Sequence, residues 1–154
     1  MEIERKFLVK SLPEHLDQYE TKQIAQGYLN YAPVVRIRRS NDHYYLTYKG
    51  SGLMAREEYN LPLTAEAFQH MVTKIDGLLI QKTRYLSPLA TGHTAELDIF
   101  SGTLTPLRLV EVEFDSIEEA NAFTAPDWFG DDVTESGLYH NSYLAENGLS
   151  SDKA

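Results

Sequence analysis

Acidic and basic side chains in this sequence fall into short alternating rows. In an extended strand residues i and i+2 point the same way, so Glu2 and Glu4 share a face with Lys6, while Ile3 and Phe7 take the other. Arg36 and Arg38 lie together against Val35 and Ile37, and Lys49 is followed by Arg56 and Glu58. Lys82 pairs with Arg84, Glu96 with Asp98, and Glu111 with Glu113 against Val110, Val112 and Phe114. Any one row could be the solvent face of an amphipathic strand. Five of the doublets are like-charged, however, and neighbours about 7 Å apart repel by about 2 kcal/mol at an effective dielectric near 20. A plain surface intersperses the signs. Like-signed rows make sense where acidic rows hold cations and basic rows hold an anion.

These rows need strands to carry them. Apolar residues recur with period two in short runs between turn residues, the pattern of antiparallel strands. Eight runs stand out, at roughly 2–10, 20–31, 34–40, 43–50, 55–62, 78–88, 93–100 and 107–115. Asn41-Asp42, Gly50-Ser51-Gly52, Thr91-Gly92 and Ser101-Gly102 supply breakers between them. Thr64 can cap a helix running to about Ile75, and Ser116 one over Ile117 to Phe123, with Glu118 and Glu119 in its first turn. A third helical stretch starts near Thr134 and runs past Tyr139 and Leu144; Pro126-Asp127 reads as loop. The expected organisation is one domain over 1–149 and a frayed tail over 150–154.

Eight antiparallel strands close into a barrel whose interior holds side chains or one small ligand. With the charged faces inward, Lys6, Arg36, Arg38, Lys49, Arg56, Lys82 and Arg84 meet Glu2, Glu4, Glu58, Glu96, Asp98, Glu111 and Glu113. That takes half of the 14 Lys and Arg residues. Apolar faces would then point outward, under the helices and a possible second subunit, leaving a monomer or a homodimer. The fold class is therefore mainly β (α+β), an eight-stranded antiparallel closed barrel with a few peripheral helices.

Composition narrows the function. A net charge of −9 repels nucleic acid and anionic lipid over most of the surface, so neither is an expected partner. An anionic substrate must enter a local basic pocket. The absence of cysteine excludes disulfides and thiolate chemistry. The first residues lack the apolar core of a signal peptide and no run reaches membrane-spanning length, which suggests the cytoplasm.

In this order the charged elements resemble those of the CYTH domain proteins, or triphosphate tunnel metalloenzymes, above all their small bacterial single-domain members. Glu2-Ile3-Glu4-Arg5-Lys6 matches the family's Glu-x-Glu-x-Lys, and Arg36-Ile37-Arg38, Lys49, Arg56-Glu57-Glu58, Lys82-Thr83-Arg84, Glu96-Leu97-Asp98 and Glu111-Val112-Glu113 follow. The likeness covers nearly the whole chain. It implies a tunnel in which basic residues grip a triphosphate and carboxylates hold Mg²⁺ or Mn²⁺. Hard cations take carboxylate, phosphate and water oxygens, which fits Glu2, Glu4, Glu111 and Glu113; Asp98 and Glu96 could serve a second ion. Arg36, Arg38, Arg56 and Arg84 can fork onto phosphate oxygens, while lysines act as point charges. In some relatives a Lys and a Tyr cooperate in catalysis, and Lys6 and Tyr28 match them.

The resulting expectation is a metal-dependent hydrolase of inorganic triphosphate, with other triphosphorylated small molecules as further substrates. Adenylate cyclase, thiamine triphosphatase and a non-catalytic polyphosphate- or nucleotide-binding module are the alternatives. His15, His43, His70, His93 and His140 show no metal-ligand spacing and read as structural or solvent-exposed. Asn60 stands where relatives often have an acid, and His140 where a basic residue is usual.

Overall fold

The computed structural model describes residues 1–52 and 54–149. The tail expected over 150–154 lies outside the described residues. Ten strands form the described sheet: β1 (Glu2–Val9), β2 (Glu20–Tyr31), β3 (Val34–Ser40), β4 (His43–Lys49), β5 (Ala55–Arg56), β6 (Glu58–Pro62), β7 (Asp76–Pro88), β8 (Thr94–Ser101), β9 (Arg108–Glu113) and β10 (Phe129–Asp132). Three α-helices accompany them: α1 (Ala65–Val72), α2 (Ile117–Ala122) and α3 (Asn141–Asn147). Among the described residues no helix is long and apolar enough to cross a membrane.

The pairing runs β10-β1-β9-β8-β7-β2-β3-β4-β6, and β5 returns to β1. Residues 55–62, expected as one strand, are therefore broken at Glu57. Glu58 to Pro62 pair with β4, whereas Ala55 and Arg56 pair with Ile3 and Glu2. The break hands the sheet from β4 to β1 and closes the ring of eight expected strands. β10 is an addition in a stretch to which the sequence pattern assigned no element. It is short and acidic, and it pairs with the far end of β1 through Phe7↔Asp132 and Val9↔Phe129.

Side-chain parity divides the interior. Tyr28, Val34, Ile80, Phe100 and Leu109 each lie an even number of residues from a charged inner residue of the same strand, so they share its face. They are buried together with Leu104, Leu107, Tyr139, Leu144 and Ala145. One end of the barrel is thus filled by apolar side chains and sealed by α3. This corrects the expectation that the apolar faces would all point outward. Outside, Ile3, Phe7, Val110, Val112 and Phe114 form a second core with Ala120 of α2 and with Phe129.

The helices are set by their caps. Thr64 accepts the Ala67 amide at 3.0 Å and Ser116 accepts that of Glu119 at 3.0 Å, satisfying donors the first turn leaves open. α3 follows a 3₁₀ turn at Gly137–Tyr139, so the third helical stretch begins later than Thr134. It docks against the start of β7, where Gly77 has a φ of 89° and a Cβ would stand 2.5 Å from the Ala145 carbonyl oxygen. Only glycine permits that approach.

Candidate active site

Charge fills the other end of the barrel. A cavity of about 700 Å³ is lined by Glu2, Glu4 and Lys6 of β1, Tyr28 of β2, Arg36 and Arg38 of β3, and Lys49 of β4. Arg56, Glu58, Arg84, Glu96, Glu111 and Glu113 complete the set expected to face inward, all but Lys82 and Asp98. Those two share the inner face but do not line the cavity. Lys82 is fully buried with its Nζ 2.6 Å from Asp98 and 3.3 Å from the Asn141 amide oxygen, and its ammonium sits 5.3 Å over the Phe100 ring. Burial pushes Lys82 down to about 7 against the pull of Asp98. Asp98 also accepts two bonds from Arg84, at 2.7 and 2.9 Å. Burial raises its pKa, but Arg84 and Lys82 override this and hold it below the usual carboxylate range.

Acidic residues concentrate on β1 and β9, where Glu4 stands opposite Glu113 and Lys6 opposite Glu111. Burial, then the charges of Glu111 and Glu2, push Glu4 well above an ordinary carboxylate. Glu113 is raised by burial and by Glu2, Glu96 and Glu58. Burial also acts to raise Glu111, yet Lys6, Arg84 and Lys82 hold it well below the usual value. Carboxylates that raise one another in this way form a site short of positive charge. Among the described residues no three acidic or histidine side chains already converge as a closed cage. Carboxylates of this kind fit a hard divalent ion, which Glu2, Glu4, Glu111 and Glu113 would hold and whose other positions phosphate and water oxygens would fill.

Basic residues face them from β3, β4 and β5. Arg36 donates to the Thr47 hydroxyl at 3.2 Å, but its Nε has no partner among the described residues. Burial and the neighbouring Arg38 charge bring Arg36 down to about 10, still cationic at neutral pH. Arg38 donates from Nε to the Gln26 oxygen at 2.7 Å. Lys49 bonds both oxygens of Glu2, at 2.9 and 3.0 Å, and lies 3.5 Å from Glu58; Arg56 reaches Glu2 at 3.4 Å. Burial acts to raise Glu2, and Lys49 brings it below its ordinary value. Lys6 lies 3.5 Å from Glu111 and donates to the Tyr139 carbonyl at 3.0 Å. Tyr28 is buried at the boundary with the apolar core, stacked on Tyr31 at 5.2 Å. Burial raises its pKa, so it remains a donor.

Sequence reasoning missed several lining residues. Lys22 is two even steps before Gln26 on β2 and could have been found by extending that face; it lies opposite Arg84. His140, read as structural or exposed, lines the cavity beside Asn141 and Ser142, because the turn before α3 brings it there. Its Nε2–H donates to the Thr134 carbonyl at 3.1 Å. Burial and Lys6 push it down to about 4, so it is neutral at pH 7. Tyr44, Tyr45, Leu61, Pro62 and Leu63 line the cavity where β4 begins and β6 ends. Asn60, noted as a departure from an acid, accepts from Thr47 and donates to Glu58 at 3.4 Å.

The sequence model of the CYTH domain matches residues 1–145. The chain belongs to the CYTH domain family. Among its relatives, an inorganic triphosphatase of Nitrosomonas europaea is 40% identical over 148 residues, covering 94% of this chain and 96% of that protein. An inorganic triphosphatase of Acetivibrio thermocellus is 35% identical over 155 aligned residues, covering 95% and 94%. A crystal structure of an inorganic triphosphatase superposes with a TM-score of 0.73 at 37% identity over 97% of each chain. The CYTH match thus spans every strand of the barrel and reaches into α3.

Proposed function

We propose that this CYTH chain is a divalent-metal-dependent hydrolase of inorganic triphosphate, releasing diphosphate and monophosphate. One observation carries the reading: one cavity brings Glu2, Glu4, Glu111 and Glu113 of β1 and β9 together with Arg36, Arg38, Lys49 and Arg56 of β3, β4 and β5. A linear anion with bound cations supplies the counter-charge for both groups. The likeness to two inorganic triphosphatases supports the choice of substrate.

In this reading the carboxylates of β1 and β9 hold Mg²⁺ or Mn²⁺, which would neutralise phosphate charge and polarise phosphoryl oxygens. Arg36 and Arg38 orient the phosphate chain through directional N–H bonds, and Lys49 and Arg56 release part of their hold on Glu2 to meet it. Water attacks the terminal phosphorus in line as the bridging P–O bond breaks, and no covalent nucleophile is required. Lys6 stabilises developing charge. Tyr28, kept protonated by burial, donates a hydrogen bond or a proton to the departing oxygen. Asp98, itself paired with Lys82, fixes Arg84.

Phosphate release from inorganic triphosphate, ATP and thiamine triphosphate, each with Mg²⁺, with Mn²⁺ and with a chelator, tests the proposal. Metal-dependent turnover fastest on inorganic triphosphate is expected. Turnover fastest on ATP or thiamine triphosphate would move the assignment to an organic triphosphate. No turnover on any of them would refute a hydrolase.

A further inference from the structure

Arg38 and Arg84 both stand on strands beside β2, yet they are held by opposite kinds of acceptor. Arg84 is forked onto Asp98 at 2.7 and 2.9 Å, and its Nη1 lies 3.3 Å from Glu96. Carboxylates offset its charge. Arg38 instead gives its Nε–H to the amide oxygen of Gln26 at 2.7 Å. Its ladder partner on β4 is Tyr45, whose pKa burial acts to raise and the Arg38 charge brings below its ordinary value. The Gln26 acceptor is neutral, and no ion pair of Arg38 occurs among the described residues.

Gln26 is fully buried and stands opposite Arg38 across the β2–β3 ladder. Its Nε2 has no hydrogen-bond partner among the described residues. Flipping the amide would not help, because a guanidinium only donates and needs the oxygen facing it. An orphaned buried N–H is unfavourable and calls for a reason. Glutamate at this position would accept the same bond without leaving a donor unpaired. It would also offset the arginine's charge, as Asp98 does for Arg84. Glutamine keeps the geometry and leaves the charge free.

We infer that Gln26 is a positioning residue that orients Arg38 through a neutral oxygen, so that the guanidinium keeps its full charge for the phosphate chain. The inference deepens the proposed function, since it rests on Arg38 contacting triphosphate. Its signature is a split between stability and binding. Gln26→Glu gains an ion pair and loses the orphaned donor, so the free protein melts at or above the wild-type temperature. KM for triphosphate nevertheless rises about tenfold. A merely structural role would move both in the unfavourable direction.

The experiment measures melting temperature and triphosphate kinetics for Gln26→Glu, Gln26→Leu, Arg38→Met and the double variant Gln26→Leu/Arg38→Met. Gln26→Leu, near-isosteric and uncharged, should raise KM severalfold on its own and change it by less than about twofold once Arg38 is gone. That cycle stands if the glutamate variant fails to fold. Unchanged KM in Gln26→Leu, or a Gln26→Leu effect that persists in full without Arg38, would overturn the inference and leave the triphosphate reading intact. So would wild-type KM in a folded Gln26→Glu protein. Unchanged KM in Arg38→Met would instead remove Arg38 from the site, and the inference with it.

Discussion

Each charged side chain in the cavity is tuned by what stands within a few ångströms of it. Arg38 is held by the neutral amide of Gln26, and its planar fork cannot be copied by an ammonium. Arg38→Lys should therefore lower kcat/KM by roughly tenfold or more although charge is kept; unchanged kinetics would place the phosphate chain elsewhere. Glu111 sits between Lys6 and Glu4 at the centre of the acidic wall. Glu111→Gln should reduce turnover by about a hundredfold, as removal of one well-placed electrostatic group does, and should lower the melting temperature, because the buried cations Lys6 and Arg84 lose a counter-charge; phosphate release and thermal melts of the variant check both. His140 gives a prediction in pH. Its folded value of about 4 lies below the roughly 6.5 of an unfolded histidine. Between those values the unfolded chain binds the extra proton, so this residue's contribution to stability is present above 6.5 and is lost as pH falls towards 4. Urea titrations of wild type and His140→Gln should show the wild type losing more stability over that window. Parallel curves would mean His140 is not buried as described.

At the scale of elements, α3 has two jobs. Leu144 is fully buried among Tyr28, Ile80 and Leu109, inside the barrel and next to the cavity, whereas α1 packs on the outside of β3 and β4. Leu144→Ala should lose about 2–5 kcal/mol of stability and also lower kcat/KM, because Tyr28 and the turn carrying His140 rest on it. Thr64→Ala removes only the α1 cap and should lose about 1 kcal/mol with kinetics unchanged. Denaturant melts paired with kinetics separate the two cases; equal effects on activity would show that α3 does not support the site. Much of this was legible in the sequence. Period-two charge rows gave the inward residues, since a strand's parity is local information. The break at Glu57 was not legible, because it comes from β1 and β4 competing for one segment. Nor was the short β10, whose Gly130, Asp131 and Asp132 carry no apolar alternation. Lys82 and Asp98 have the right parity to face the cavity, and only packing of α3 and Phe100 over them reveals that they do not line it.

The whole molecule combines a net charge of −9 with a cavity that gathers cations of β3, β4 and β5 together with carboxylates of β1 and β9. Like charges within each group repel, and a bound triphosphate with its divalent ion would relieve both. A ligand that binds only the folded state stabilises it by about 2.7 kcal/mol at a hundredfold excess over its Kd, and each kcal/mol moves Tm by roughly 2–4 °C for a domain near this size. Melting the protein with a divalent ion that does not support turnover, in the presence of triphosphate, diphosphate or monophosphate, is the most direct test. The account predicts a rise of about 5–10 °C with triphosphate, less with diphosphate and least with monophosphate, with high salt removing only part of it. No shift with triphosphate in the presence of metal would contradict it.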